Sequence, residues 1–232
     1  ERGAVGPGHN GRMRARVRIK VCCIASVEEA RVAVDAGVDA IGLVGRMPSG
    51  PGPIEDALIA EVQRAVPPPV MPFLLTSETE GAAIAAHVVR TGVLTVQIVD
   101  DEVTAGARRE VRAAAGWVRI VQVVHVRDGA SVARALACAE GADALLLDSG
   151  NPGAPVRELG GTGRVHDWAV SREIVARSPV PVFLAGGLTP GNVGEAIAAV
   201  GPYGVDVCSG VRADGRLVAA RVRAFVDAVR GA

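Results

Sequence analysis

The stretch Val182–Asn192 reads V-F-L-A-G-G-L-T-P-G-N, and shortly after it Tyr203–Val211 reads Y-G-V-D-V-C-S-G-V. Each is a short β-type run that ends in glycine or a small residue and leads into a helix start. This leaves bare backbone N–H groups at the top of a strand, beside a helix N-terminus. Unsatisfied amides and the helix dipole both favour an anion there. Two such turns in succession, at the end of a repeating strand–helix chain, are the usual place for a phosphate in a (β/α)8 barrel. The pair points to an α/β chain that handles a small phosphorylated molecule.

The rest of the chain repeats the same theme. Short β-branched runs at Val17–Cys23, Ala40–Val44, Val70–Leu75, Leu94–Val99, Val118–Val124, Ala144–Asp148, Val180–Leu184 and Val205–Cys208 alternate with helical stretches. Those stretches include Val27–Ala36, Ala57–Ala65, Thr79–Arg90, Ala130–Ala139, Asn192–Ala199 and Leu217–Val229. Such alternation predicts a single parallel TIM barrel over residues 17–232. Pro67–Pro69 and Ser178–Pro181 punctuate the returns from helix to strand. An open doubly wound sheet is the rival, disfavoured because no G-x-G-x-x-G follows the first strand. Residues 1–16 are Gly- and Arg-rich without periodicity, and are expected to form a disordered extension, with Met13 a candidate start.

Composition narrows the function. Lys+Arg and Asp+Glu balance at 25 each, which argues against a nucleic-acid or anionic-membrane partner. No apolar run reaches the ~20 residues of a membrane span, and no signal-like segment opens the chain, so a cytoplasmic location is expected. Hydrophobic residues make up 49% and aromatics only 3%, a small-aliphatic mixture suited to parallel strands under helices. Four cysteines in a chain of 232 residues are no disulfide framework, and adjacent Cys22 and Cys23 have neither zinc nor redox spacing. No metal or cofactor is implied.

Barrel chemistry sits where strands end and βα loops begin. The first strand ends at Cys22–Cys23, the sixth at Asp148, the seventh at Gly186–Gly187 and the eighth at Cys208–Ser209–Gly210. A long loop, Ser149–Arg164, closes with G-G-T-G and reads as a lid or a third set of backbone donors, with Gly161 and Gly163 as substrate contacts. His87 on the third helix is expected to face solvent, and His125 at the end of strand five to reach the mouth. Asp206 is expected to orient backbone or a neighbouring strand, and Asp167 to cap a helix.

These residues carry a resemblance. Lys20-Val21-Cys22-Cys23-Ile24 resembles the K-x-C-G-I opening of phosphoribosylanthranilate isomerases. Ala36–Val44 (A-G-V-D-A-I-G-L-V), Leu145–Asp148 (L-L-L-D), Gly160–Trp168 (G-G-T-G-x-x-x-D-W), Leu184–Val193 and Pro202–Val211 match further marks of that family in order. The resemblance implies an Amadori rearrangement of an N-aryl phosphoribosylamine to a 1-amino-1-deoxyketose phosphate. Its substrate would be a small phosphorylated sugar amine, acted on by a monomer or homodimer. A general acid must protonate the ribose ring oxygen, and a general base must remove the C2′ proton. By resemblance Cys22 matches the base and Asp148 the acid, while Gly186, Gly187, Ser209 and Gly210 hold the phosphate. Lys20 is a candidate to lower the Cys22 pKa.

Departures cluster at the aglycone end. The resemblance implies an arginine in the loop after strand two, but Pro51 and Gly52 stand near its place and Arg46 lies a few residues early. It also implies a histidine after strand four, where Val99 stands, and a glycine where Cys23 stands. The expectation is a phosphoribosylanthranilate isomerase-like enzyme acting on an N-substituted phosphoribosylamine. The alternatives are a divergent relative with a different aglycone, to which these departures point, a non-catalytic binder that kept its anion cradle, or another phosphate-binding barrel.

Overall fold

The computed structural model describes residues 16–48, 50–150 and 166–232. The expectations for segment 1–15, for the G-G-T-G loop and for Gly161 and Gly163 lie outside the described residues.

Among the described residues, eight parallel strands close into a barrel: β1 (Arg18–Val21), β2 (Ala40–Val44), β3 (Met71–Thr76), β4 (Thr95–Ile98), β5 (Arg119–His125), β6 (Ala144–Asp148), β7 (Val182–Leu184) and β8 (Gly204–Val207). Each pairs with the next, and β8 pairs back to β1 through Ile19↔Val205 and Lys20↔Asp206. Helices α1 (Val27–Asp35), α2 (Asp56–Ala65), α3 (Gly81–Thr91), α4 (Ala105–Ala114), α5 (Ala130–Cys138), α6 (Trp168–Arg177), α7 (Val193–Val200) and α8 (Ala219–Arg230) follow the strands in turn.

The strands are buried on both faces, which is why they read as unbroken apolar runs. Side chains such as Ile19, Val21, Ile41 and Leu43 pack outward into the layer under the helices. The alternate set, including Cys22, Phe73, Leu75, Val121, Leu146 and Phe183, fills the barrel interior. Caps fix where helices begin: Ser26 Oγ accepts the Glu29 N–H, Thr104 Oγ1 that of Ala107, and Asp167 Oδ1 that of Ala169. Asp167 is thus the cap expected.

At the N-terminal end of the barrel, G-V-D-A (Gly37–Ala40) and G-A-D-A (Gly141–Ala144) enter β2 and β6 in the same way. Asp39 Oδ2 accepts the Ile19 N–H at 2.9 Å, and Asp143 Oδ2 accepts the Ile120 N–H at 2.7 Å. Arginines flank each carboxylate: Arg16 and Arg18 at Asp39, Arg112 and Arg119 at Asp143. A cavity of about 350 Å³ opens at this end, walled by residues including Arg18, Phe73, Phe183 and Tyr203. The strand tips that carry candidate chemistry lie at the opposite end.

Three expectations are corrected. The first strand stops at Val21 rather than Cys23, because Cys23 turns to φ 62° and leaves the extended region. The helix expected from Leu217 begins at Ala219. Ahead of it Arg212–Ala213 and Arg216–Leu217 form a small antiparallel hairpin over Asp214 and Gly215, both at positive φ, an Asp-Gly turn of the strongest hairpin type. His87 does not face solvent. It is 4% exposed, with Nδ1 3.0 Å from Thr76 Oγ1 and Nε2 3.0 Å from Asp56 Oδ1, so it ties α3 to the tip of β3 and the start of α2.

Candidate active site

The barrel mouth is built from strand tips that face one interior. The Cys22 N–H donates to Val207 O at 2.8 Å, which holds the end of β1 against β8 and turns the thiol inward, 5% exposed. Room for it comes from β2. A Cβ on Gly42 would lie 2.7 Å from Cys22 Sγ and 3.1 Å from Lys20 Nζ, so glycine there is a steric requirement.

Lys20 lies one interior layer below Cys22 and is fully buried. Its Nζ donates to Asp206 Oδ2 at 2.8 Å and lies 5.5 Å from the centre of the Phe73 ring. Burial alone would lower the Lys20 pKa, but the Asp206 carboxylate and the nearby Cys22 thiol outweigh it and push it above the ordinary ammonium value. Asp206 is thus the partner of Lys20 rather than a backbone orienter, and its Oδ1 has no partner among the described residues. Burial raises the Asp206 carboxyl, with Lys20 opposing and the charge of Asp148 adding to the rise.

Asp148 ends β6 beside His125, its lateral partner in β5. It is 9% exposed, and its Oδ1 accepts the Ser149 N–H at 2.7 Å. The effect of its charge on Asp206 places it within electrostatic reach of the Lys20–Asp206 pair across the interior. Cys22, just past β1, and Asp148, at the end of β6, therefore belong to one mouth.

The glycine turns stand beside them. Gly186 and Gly187 have φ of 83° and 65°, a left-handed pair that side-chain-bearing residues rarely adopt. Asn192 braces the turn by accepting the Thr189 N–H at 2.8 Å and donating to Gly187 O at 3.0 Å. Among the described residues, the N–H groups of Gly186 and Gly187 donate to no backbone acceptor. Ser209 and Gly210 lie in a single 3-10 turn, Ser209–Val211, directly after β8. A Cβ on Gly210 would come 2.1 Å from Leu188 O, so the turns after β7 and β8 interlock.

Arg46 lies just past the tip of β2, exposed, with its carbonyl accepting from Ser77 Oγ. Val99 occupies the interior beside the tip of β4, where the resemblance implies a histidine. Yet His125 of neighbouring β5 is fully buried and brings Nε2 to 3.0 Å from Val99 O, with Nδ1 unpartnered among the described residues. An imidazole therefore stands one strand away from its expected place. The buried Gln97 on β4, with Oε1 unpartnered among the described residues, went unremarked in the sequence. Its signal is a long polar side chain between Val96 and Ile98 in a buried strand. Among the described residues, no cluster of three or more His, Cys, Asp or Glu could hold a metal, and no helix is long and apolar enough to cross a membrane.

Comparison with known proteins agrees with this geometry. The family model for N-(5'-phosphoribosyl)anthranilate isomerase matches residues 19–228. The chain is 41% identical over 198 residues to N-(5'-phosphoribosyl)anthranilate isomerase 2 of Methanosarcina mazei, covering 84% of this chain and 86% of that one. Among solved structures, the N-(5'-phosphoribosyl)anthranilate isomerase of Pyrococcus furiosus superposes with a TM-score of 0.78 at 26% identity, over 93% of this chain and all of that one. A phosphoribosylanthranilate isomerase in complex with reduced 1-(o-carboxyphenylamino)-1-deoxyribulose 5-phosphate gives 0.73 at 26%, with the same coverage. From the interlocked glycine turns to the matched length of the barrel, the chain belongs to the phosphoribosylanthranilate isomerase family.

Proposed function

We propose that the protein isomerises N-(5'-phosphoribosyl)anthranilate to 1-(o-carboxyphenylamino)-1-deoxyribulose 5-phosphate, with Cys22 as general base and Asp148 as general acid. The observation that carries this is the placement of a thiol just past β1 and a carboxyl at the end of β6 in one mouth, next to two interlocked turns whose glycine amides have no backbone acceptor among the described residues. As general acid, Asp148 passes a proton to the ribose ring oxygen, and the C1′–O bond breaks to leave an iminium. Cys22 then takes the C2′ proton, giving an enolamine that becomes the ketone as C1′ gains a proton and the 2′-hydroxyl loses one. Both carriers are side chains of the barrel, and the reaction is internally balanced in electrons.

Phosphate is assigned to the amides of Gly186, Gly187, Ser209 and Gly210, three of them glycines without a side chain of their own. Lys20 keeps its charge one interior layer beneath Cys22. Arg46 and His125 reach the aglycone end. The imidazole of His125 beside Val99 weakens the argument that the aglycone contacts have eroded, and the names of the relatives support anthranilate over a changed aglycone. The tryptophan pathway and a cytoplasmic location follow on this reading.

Steady-state kinetics with freshly generated phosphoribosylanthranilate test it. Efficiency of at least ~10⁴ M⁻¹s⁻¹ is expected of a cognate pair, and turnover at the detection limit by folded protein would overturn it. Cys22→Ser and Asp148→Asn should each lower kcat by ~10²-fold or more with KM little changed. A Cys22→Ser enzyme within a few-fold of the parent would remove Cys22 from the role of base.

A further inference from the structure

Cys23 and Cys208 take no part in the proton transfers above, yet their sulfurs lie 3.0 Å apart at the barrel mouth. They come from opposite ends of the chain, 185 residues apart, brought together by the pairing of β1 with β8. We propose that this pair is a site of reversible oxidation, at which hydrogen peroxide converts Cys23 and Cys208 to a disulfide.

Four observations support the assignment. First, a disulfide needs sulfurs about 2.05 Å apart, so closure requires an approach of only about 1 Å from the contact already present. Second, Cys23 holds φ 62°, a left-handed conformation in which glycine is favoured. A sulfur-bearing side chain stands where backbone geometry disfavours any side chain. Third, the two thiols differ in the way the chemistry requires. Contact with Cys23 holds the Cys208 thiol below its ordinary pKa, with the Arg212 guanidinium adding to the effect. Hydrogen bonding to Cys208, and then to Cys22, pushes the Cys23 thiol up. Fourth, Cys208 is partly exposed whereas Cys22, Cys23 and Cys138 are buried. Cys208 is thus the more reactive and reachable sulfur, and Cys23 the resolving one.

The steps balance. The Cys208 thiolate attacks one peroxide oxygen, the O–O bond breaks, and the hydroxide released takes up the thiol proton as the first water. This leaves a sulfenic acid on Cys208. The Cys23 sulfur then attacks the Cys208 sulfur, the S–O bond breaks, and the hydroxyl leaves as a second water with the Cys23 proton. Two electrons pass from the thiol pair to the peroxide. A dithiol reductant returns the pair to its starting state. The bond ties the tip of β1 to the tip of β8 directly before Ser209 and beside Cys22.

Peptide mapping tests this without reference to turnover, so it stands or falls separately from the isomerase reading. The full chain is treated with a few equivalents of peroxide, alkylated without reduction and digested with trypsin. The expected product links residues 21–31 to residues 178–212 through Cys23 and Cys208, as fragmentation of the linked peptide will show. Free thiols should fall from four to two, with Cys138 unmodified, and dithiothreitol should restore all four. Cys23→Gly, which relieves the left-handed backbone, and Cys208→Ser should each abolish the link, whereas Cys22→Ala should keep it. Retention of four free thiols under peroxide, a link through Cys22 instead of Cys23, or oxidation confined to sulfinic acid on Cys208 would each overturn the proposal.

Discussion

At the scale of single residues, the site depends on what β2 and the glycine turns leave out. Gly42 faces both Cys22 and Lys20, and a methyl group there would meet Cys22 Sγ at 2.7 Å and its Cα at 3.1 Å. Gly42→Ala is expected to cost about 1–3 kcal/mol as the crowded layer shifts, and to lower kcat further by displacing the thiol. Denaturation midpoints and kcat measured on the same preparation separate the two effects. Gly187→Val places a β-branched side chain at φ 65° in the braced turn. Inorganic phosphate or sulfate should bind it at least several-fold more weakly by titration, with little change in fold. An anion that binds the variant as well as the parent would move the phosphate elsewhere. Cys23→Gly should stabilise the protein by about 1 kcal/mol in urea denaturation, since it removes a side chain from the left-handed region.

At the scale of elements, the entry into β6 offers a pH test. Burial alone would raise the Asp143 carboxyl, but the Ile120 N–H and the Arg112 guanidinium outweigh it and hold its pKa below the ordinary carboxylate value. A depressed folded-state pKa gives stability that is present above the unfolded value of about 3.9 and lost as pH falls through the folded one. Asp143→Ala should therefore cost about 1–2 kcal/mol at pH 7, allowing for solvent screening of its arginines. The difference from the parent should shrink toward pH 3 in urea denaturation. Elements were the most legible part of the sequence, because strands buried on both faces leave runs of Val, Ile, Leu and Ala that nothing else explains. The positions of Cys22, Asp148 and the two glycine turns were legible for the same reason, being the ends of those runs. What escaped reading was contact between elements distant in sequence. His87 sits on an alternating helix face that looked wet, but Asp56 and Thr76 close over it from α2 and β3. Asp206 showed nothing in sequence of its pairing with a lysine 186 residues away. The Asp214–Gly215 hairpin has a legible turn, but its two-residue strands leave no alternation to count.

At the scale of the whole molecule, closure of the barrel rests on contacts between its first and last strands. Asp206→Asn leaves the buried Lys20 charge without its counter-ion and is expected to destabilise by about 3–5 kcal/mol. The double variant Lys20→Met, Asp206→Leu should recover most of that loss, because two apolar groups need no partner. It should remain poorly active, because Cys22 then lacks its nearby cation. Midpoints of chemical denaturation for both variants decide the first point, and kcat the second. The same closure has a consequence for how the protein is made. On a ribosome adding about 5–20 residues per second, β8 follows β1 by about 10–40 s. Throughout that interval the outer edge of β1, with its row of unpaired amides and carbonyls, has no strand to meet, and the interior above Lys20 stays open to water. A chain that paired its earlier strands before β8 emerged would carry a bare edge, a state suited to chance pairing with another chain. Pairing of β8 with β1 is what removes that edge.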